Sequence, residues 1–155
     1  MGWQEQRDRM LLGLGRVEQI YQGRAGGSAE AVYDLHSFFL NAYHLRDWLA
    51  TDPATALTRK AIDAWIQAST ELRICGDFAN RAKHVVLSRT PWIDAQTGVT
   101  RQDVTVQLPS FGSRNVGTAS HSWTIAAGGK SYDALELARD VVDAWTTLLQ
   151  GHGLI

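Results

Sequence analysis

The spacing of apolar residues changes character along the chain, from a helical period to strict alternation and back again. Trp3, Met10, Leu14, Val17 and Tyr21 recur at spacings of 7, 4, 3 and 4, one face of a helix over about residues 3–21. Gly13 and Gly15 weaken that helix, each by about 1 kcal/mol relative to alanine. The run Gln22-Gly23-Arg24-Ala25-Gly26-Gly27-Ser28 stops it, and Ser28 is placed to cap the next. The second helix, about residues 29–50, is the most strongly patterned, with Leu35, Phe38, Phe39, Ala42, Leu45 and Leu49 in one narrow sector. Thr51-Asp52-Pro53 ends it and opens a third over about residues 54–69, whose stripe is Leu57, Ala61, Trp65 and Ala68. A fourth, about residues 70–83, buries Leu72, Cys75, Phe78, Ala79 and Ala82.

Beyond His84 the period becomes two. Val85-Val86-Leu87 reads as a strand, and in Val99–Leu108 the residues Val104, Val106 and Leu108 alternate with Asp103, Thr105 and Gln107. Ala119, His121, Trp123 and Ile125 alternate with Ser120, Ser122 and Thr124 in a third. The strand region thus spans about residues 85–108 and 116–127. Gly128-Gly129 turns the chain into a closing helix, about residues 132–150, with the stripe Ala134, Leu137, Ala138, Val141, Trp145 and Leu148. Helices in one block and strands in another indicate an α+β fold, mostly α. It is a single domain over residues 1–155: a bundle of about five helices with a three-stranded antiparallel meander inserted before the last.

Composition narrows the function classes. The 155 residues are 45% apolar and 20% charged, enough apolar surface to offset the entropy of ordering and to exclude a disordered chain. The net charge of −1 gives no global pull toward nucleic acid or an anionic membrane. Arginine outnumbers lysine 12 to 3, which we attribute to genome composition. The one cysteine, Cys75, permits no intrachain disulfide. The N-terminal stretch has no apolar signal core, Gln6 breaks the myristoylation pattern, and no run is long and apolar enough to span a bilayer. A cytoplasmic protein without membrane contact is expected.

Several constellations invite chemistry. Gly128-Gly129-Lys130-Ser131 follows a strand and precedes a helix, but a phosphate-binding loop needs glycine where Thr124 stands. On the fourth helix Arg73, Asp77, Asn80 and His84 fall within about 60° of arc, with Arg81 one turn beyond Asp77. A cation, a carboxylate, an amide and an imidazole on one stripe are the ingredients of an acid–base or phosphodiester-cleaving site. An exposed helix face with an ordinary i, i+4 pair contains the same residues. Arg46 lies inside the apolar sector of the second helix and must find a carboxylate, Asp77 or Asp47, or snorkel to the helix edge. We expect Arg46, Asp77, Asn80, Lys83 and His84 to form one polar cluster between the second and fourth helices, structural in role. The five histidines show no metal-ligand spacing, and Cys75 sits on an apolar stripe, so neither a metal, a cofactor nor a thiol nucleophile is expected.

The segments Phe38–Leu49 and Cys75–His84 resemble signature helices of small bacterial proteins reading roughly F-x-x-x-x-x-x-L-x-D-W and D-x-x-N-x-x-K-H. Those are similar in layout to the HEPN superfamily of helical bundles, found in toxin–antitoxin, phage-defence and RNA-processing systems. The resemblance covers residues 28–84 and implies special positions at Asp77, Asn80, Lys83 and His84. HEPN ribonucleases place an arginine before the catalytic histidine with four to six residues between them. Here Arg81 precedes His84 with two residues between them and Arg73 with ten. The expectation is therefore a non-enzymatic interaction module of a bacterial or phage-encoded assembly or defence pathway, acting on a protein partner or on itself. Its six tryptophans are suited to interfaces, although most should be core. The alternative is a metal-independent ribonuclease, with His84 as general acid–base, Arg73 or Arg81 on the transition state and Asn80 orienting.

Overall fold

The architecture follows from where each helix can bury its stripe. In the computed structural model, which describes residues 2–24, 27–83, 90–112, 114 and 117–155, the chain runs α1 (Trp3–Tyr21), α2 (Ser28–Thr51), α3 (Arg59–Ala68), α4 (Thr70–Lys83), β1 (Gly98–Gln107), β2 (Thr118–Ala127), β3 (Lys130–Asp133) and α5 (Ala134–Gly151). It is an α+β fold, mostly α: five helices, with a three-stranded antiparallel sheet ordered β1-β2-β3 inserted before the last.

The six residues of the α2 sector are all buried, as are all six of the α5 stripe. Trp3, Met10 and Val17 of α1 pack onto the same core, and Gly13 lets α1 approach the backbone of Phe38. Tyr21 joins α1 to the sheet and to α5. Its hydroxyl accepts from the main-chain N–H of Trp123 (3.1 Å) and of Leu135 (3.3 Å), and donates toward Asp133 (3.2 Å). Burial, opposed by these amides and reinforced by the Asp133 charge, pushes its pKa up to about 12.

Two boundaries differ from the sequence expectation. The segment after α2 is not one helix from residue 54. Pro53–Thr55 forms a short 3₁₀ turn capped by Asp52, Ala56 takes a left-handed conformation that ends it, and Thr58 caps α3 afresh. The fully buried residues of α3 are Ile62 and Ile66; of the expected stripe, Leu57 and Trp65 pack partly buried against the core, while Ala61 and Ala68 are exposed. The third strand is Lys130–Asp133, which the sequence pattern assigned partly to α5. Gly128 and Gly129, both at positive φ, form a two-residue turn that folds this segment back on β2, and Asp133 then caps α5. The expected strand at Val85-Val86-Leu87 lies outside the described residues.

β2 buries His121, Trp123, Ile125 and Ala127 against α1 and α5. A bulge in β1 between Val99 and Arg101 keeps Val99 on the same face as Gln102, Val104 and Val106, opposite Ile125, Trp123, His121 and Ala119 respectively.

Candidate functional site

The polar stripe of α4 is not an exposed helix face. Residues 74–79 are all buried, because the loop over residues 90–97 lies across this helix in addition to its helical neighbours α2, α3 and α5. Gly76 makes the approach possible: a Cβ there would stand 2.8 Å from both Trp92 and Tyr43. Trp92 donates its indole N–H to the Tyr43 hydroxyl (3.1 Å).

Asp77 holds the loop down. Only 1% exposed, it accepts from the backbone N–H of Trp92 (2.6 Å) through Oδ1, and of Ile93 (2.6 Å) and Asp94 (3.1 Å) through Oδ2. Three charge-assisted hydrogen bonds compensate the burial of its charge. Asp94 extends the chain of contacts, accepting from Gln96 N–H (2.6 Å) and from Gly128 N–H in the β2–β3 turn. Arg81 donates to the Gln96 carbonyl (2.6 Å). The carboxylate offered by the sequence for catalysis is thus consumed in fastening helix, loop and sheet together.

Arg46 does not meet Asp77, and the single polar cluster expected between α2 and α4 does not form. Its Nε and Nη2 donate to Asp63 of α3 (2.6 and 2.7 Å), a two-pronged pair, and its Nη1 lies 3.5 Å from Asp47. The guanidinium, 13% exposed, also lies over the Tyr43 ring at 5.8 Å. Burial works most strongly against its charge, but the Asp63 hydrogen bonds together with electrostatic attraction to Tyr43, Asp63 and Asp47 outweigh it, and its pKa is raised. Asp63 was missed because the later start of α3, which turns it toward α2, is set by the 3₁₀ turn. The other stripe members also separate. Arg73 turns back to the Thr70 hydroxyl (3.2 Å), its buried Nε without a hydrogen-bond partner among the described residues, and Asn80 is half-buried. The side chain of Lys83 and the whole of His84 lie outside the described residues, so the expected roles of both fall there too.

Arg81 does face a cleft, of about 390 Å³, lined by His36, Phe78, Arg81, Thr97, Gly98 and Val99. His36, which no motif or spacing marks, packs edge-on to Phe78 at 5.0 Å, and burial lowers its pKa. An imidazole whose protonation burial disfavours and a guanidinium line the same cleft, and together offer a hydrogen-bonding group and a positive charge to a small polar ligand. Among the described residues, no group of three His, Cys, Asp or Glu side chains is placed to hold a metal ion, and no helix is long and apolar enough to cross a membrane. Burial pushes the Cys75 thiol pKa up, and its Sγ–H points to the Phe39 carbonyl (3.5 Å), an unreactive setting.

The other exceptional surface is the β1–β2 hairpin. Residues 99–107 of β1 are exposed throughout, and the strand forms one edge of the sheet. Along its inner face, the face that β2 buries, exposure climbs from Val104 (49%) through Val106 (60%) to Leu108 (83%), with Phe111 fully exposed at the turn. The tryptophans, in contrast, all pack inward: Trp3, Trp123 and Trp145 are buried, and Trp48, Trp65 and Trp92 lie against the core. Alternation marked Val104, Val106 and Leu108 as a strand face; what the pattern lacked was that nothing in the described chain covers it. No protein-family model, curated protein or solved structure matches this chain.

Proposed function

We propose that the protein is a non-enzymatic interaction module whose working surface is the β1–β2 hairpin, acting in a bacterial or phage-encoded assembly or defence pathway. One observation carries this reading: a row of exposed apolar side chains, Val104 and Val106 on β1 and Leu108 just beyond it, on a sheet edge that no described segment covers. Exposed edges invite pairing with another strand, and natural proteins usually blunt them with charge, proline or a cover. Here the edge keeps one charged pair, Arg101 and Asp103, and Pro109 beyond its end, but the stretch between them carries an exposed apolar row, a feature suited to a strand added to the sheet by a partner. The pathway is suggested by the likeness of residues 28–84 to HEPN-type bundles. The test places a photo-activatable residue at Leu108 in expressing cells. A discrete cross-linked adduct, lost when Val104→Lys and Val106→Lys are combined, supports the reading. Absence of any adduct overturns it.

A second reading, a metal-independent ribonuclease, draws support from the cleft that brings His36 and Arg81 to one lining. In it His36 takes the acid–base part that the sequence offered to His84. RNA incubated with purified protein in EDTA separates the two readings. Cleavage abolished by His36→Ala and by Arg81→Ala favours the enzyme, and intact RNA favours the module.

A further inference from the structure

We propose that the partner of the hairpin is a second copy of this chain, paired antiparallel through the two β1 edges with Thr105 on the two-fold axis. This rests on the hairpin being the working surface. The open edge offers main-chain N–H and C=O groups that only another extended strand can satisfy in register, which selects a strand as the occupant.

The strand's own sequence defines a self-complementary segment. At one end the bulge between Val99 and Arg101 breaks the regular ladder. At the other end Pro109 has no N–H to give. Between these limits the ladder is regular over residues 102–107, and Leu108 is the last residue before Pro109, so the segment 102–108 available for pairing has its midpoint at Thr105. An antiparallel pair centred there sets Val104 against Val106 of the second copy and Val106 against Val104. Thr105 meets Thr105, Gln102 meets Leu108, and Asp103 meets Gln107. Opposed residues in such a pair share a face. The apolar rows of both copies therefore merge into one strip, continuous with the inner face of each β2.

Charge and packing agree on this register. No like charges are opposed, and with a net charge of −1 per chain two copies approach without appreciable repulsion. A register centred on Asp103 opposes two carboxylates. One centred on Gln102 sets Arg101 against Asp103 of the second copy, yet Arg101 already holds Asp103 of its own chain (3.0 and 2.8 Å). That register also places Val106 against Gly98, across the bulge. Apolar burial outweighs an exposed ion pair that merely exchanges partners. The contact is isologous and closes on itself, so it gives a dimer and leaves no further edge of β1 for fibre growth.

Light scattering with size exclusion is expected to give twice the 17.1 kDa chain mass, and Val106→Lys to give the monomer with an unchanged circular dichroism spectrum. Thr105→Cys tests the register, since Cys75 is buried and is the one native cysteine. Mild oxidation is expected to link Thr105→Cys into a covalent dimer and to leave Arg101→Cys unlinked. A monomer at every concentration, or linking through Arg101→Cys but not Thr105→Cys, overturns the proposal. A monomer in solution with a Leu108 adduct to a different protein in cells overturns self-pairing while the hairpin reading stands; a monomer with no adduct removes both.

Discussion

The α4 helix with its covering loop and the β1–β2 hairpin invert the usual distribution of polar and apolar groups. In the first, a carboxylate is buried and fully used: Asp77 takes three backbone amides and holds residues 92–94 in place. In the second, valine, leucine and phenylalanine side chains stand in water on an edge strand. A buried charge is tolerated where hydrogen bonds compensate it, and Asp77 meets that condition within the chain. An exposed apolar row has no compensation within the described chain, and that difference directs the search for function away from the polar residues and onto the hairpin.

The contrast is most easily broken at Asp77. Asp77→Ala leaves three loop amides without their acceptor and is expected to cost about 3–5 kcal/mol in chemical denaturation. A cost below about 1 kcal/mol means the loop does not depend on this residue. Next comes Gly76→Ala, whose new Cβ collides with Trp92 and Tyr43; a loss of about 1–3 kcal/mol is expected, with a change in tryptophan fluorescence as Trp92 is displaced.

A double-mutant cycle then asks which carboxylate belongs to Arg46. Coupling of about 1–2 kcal/mol is expected between Arg46 and Asp63, and near zero between Arg46 and Asp77. The reverse ranking contradicts the geometry described for both.

Tyr21 gives an alkaline signature. Its pKa rises from 10.0 to about 12 on folding, so the folded chain keeps a proton that the unfolded chain loses. Its contribution is complete below pH 10.0 and is lost as pH rises toward about 12. Unfolding free energies across that range are expected to fall with a slope that Tyr21→Phe reduces. The smallest effect belongs to the hairpin. At concentrations where the chain is monomeric, Val106→Lys is expected to change stability by no more than about 0.5 kcal/mol, because that side chain is mostly exposed and its cross-strand neighbour is only Ala119.

Much of the fold was legible in the residues. The stripes of α2 and α5 are long, regular and buried as written, since a helix with one apolar face has one way to pack. The register of α3 was not, because it depends on Ala56 adopting a left-handed conformation, which no local preference announces. β3 was hidden by its shortness: four residues after a Gly-Gly turn read as the start of a helix until their pairing with β2 is known. The α4 stripe was located correctly by its spacing. A structural part was expected for Asp77, but with Arg46 as its partner; spacing gives the direction of a side chain and not what will cover it. Asp77 meets the backbone of a loop, a partner with no side-chain signature. The apolar row of β1 was likewise visible as alternation, but exposure is a property of the assembled surface.

Amide hydrogen exchange at low and high protein concentration tests the central claim most directly. The amides of Trp92 and Ile93 that Asp77 holds should exchange slowly at both. Those of residues 102–108 that point away from β2 should exchange quickly when dilute and become protected as two edges pair. Protection of this segment that does not change with concentration contradicts self-pairing of the hairpin.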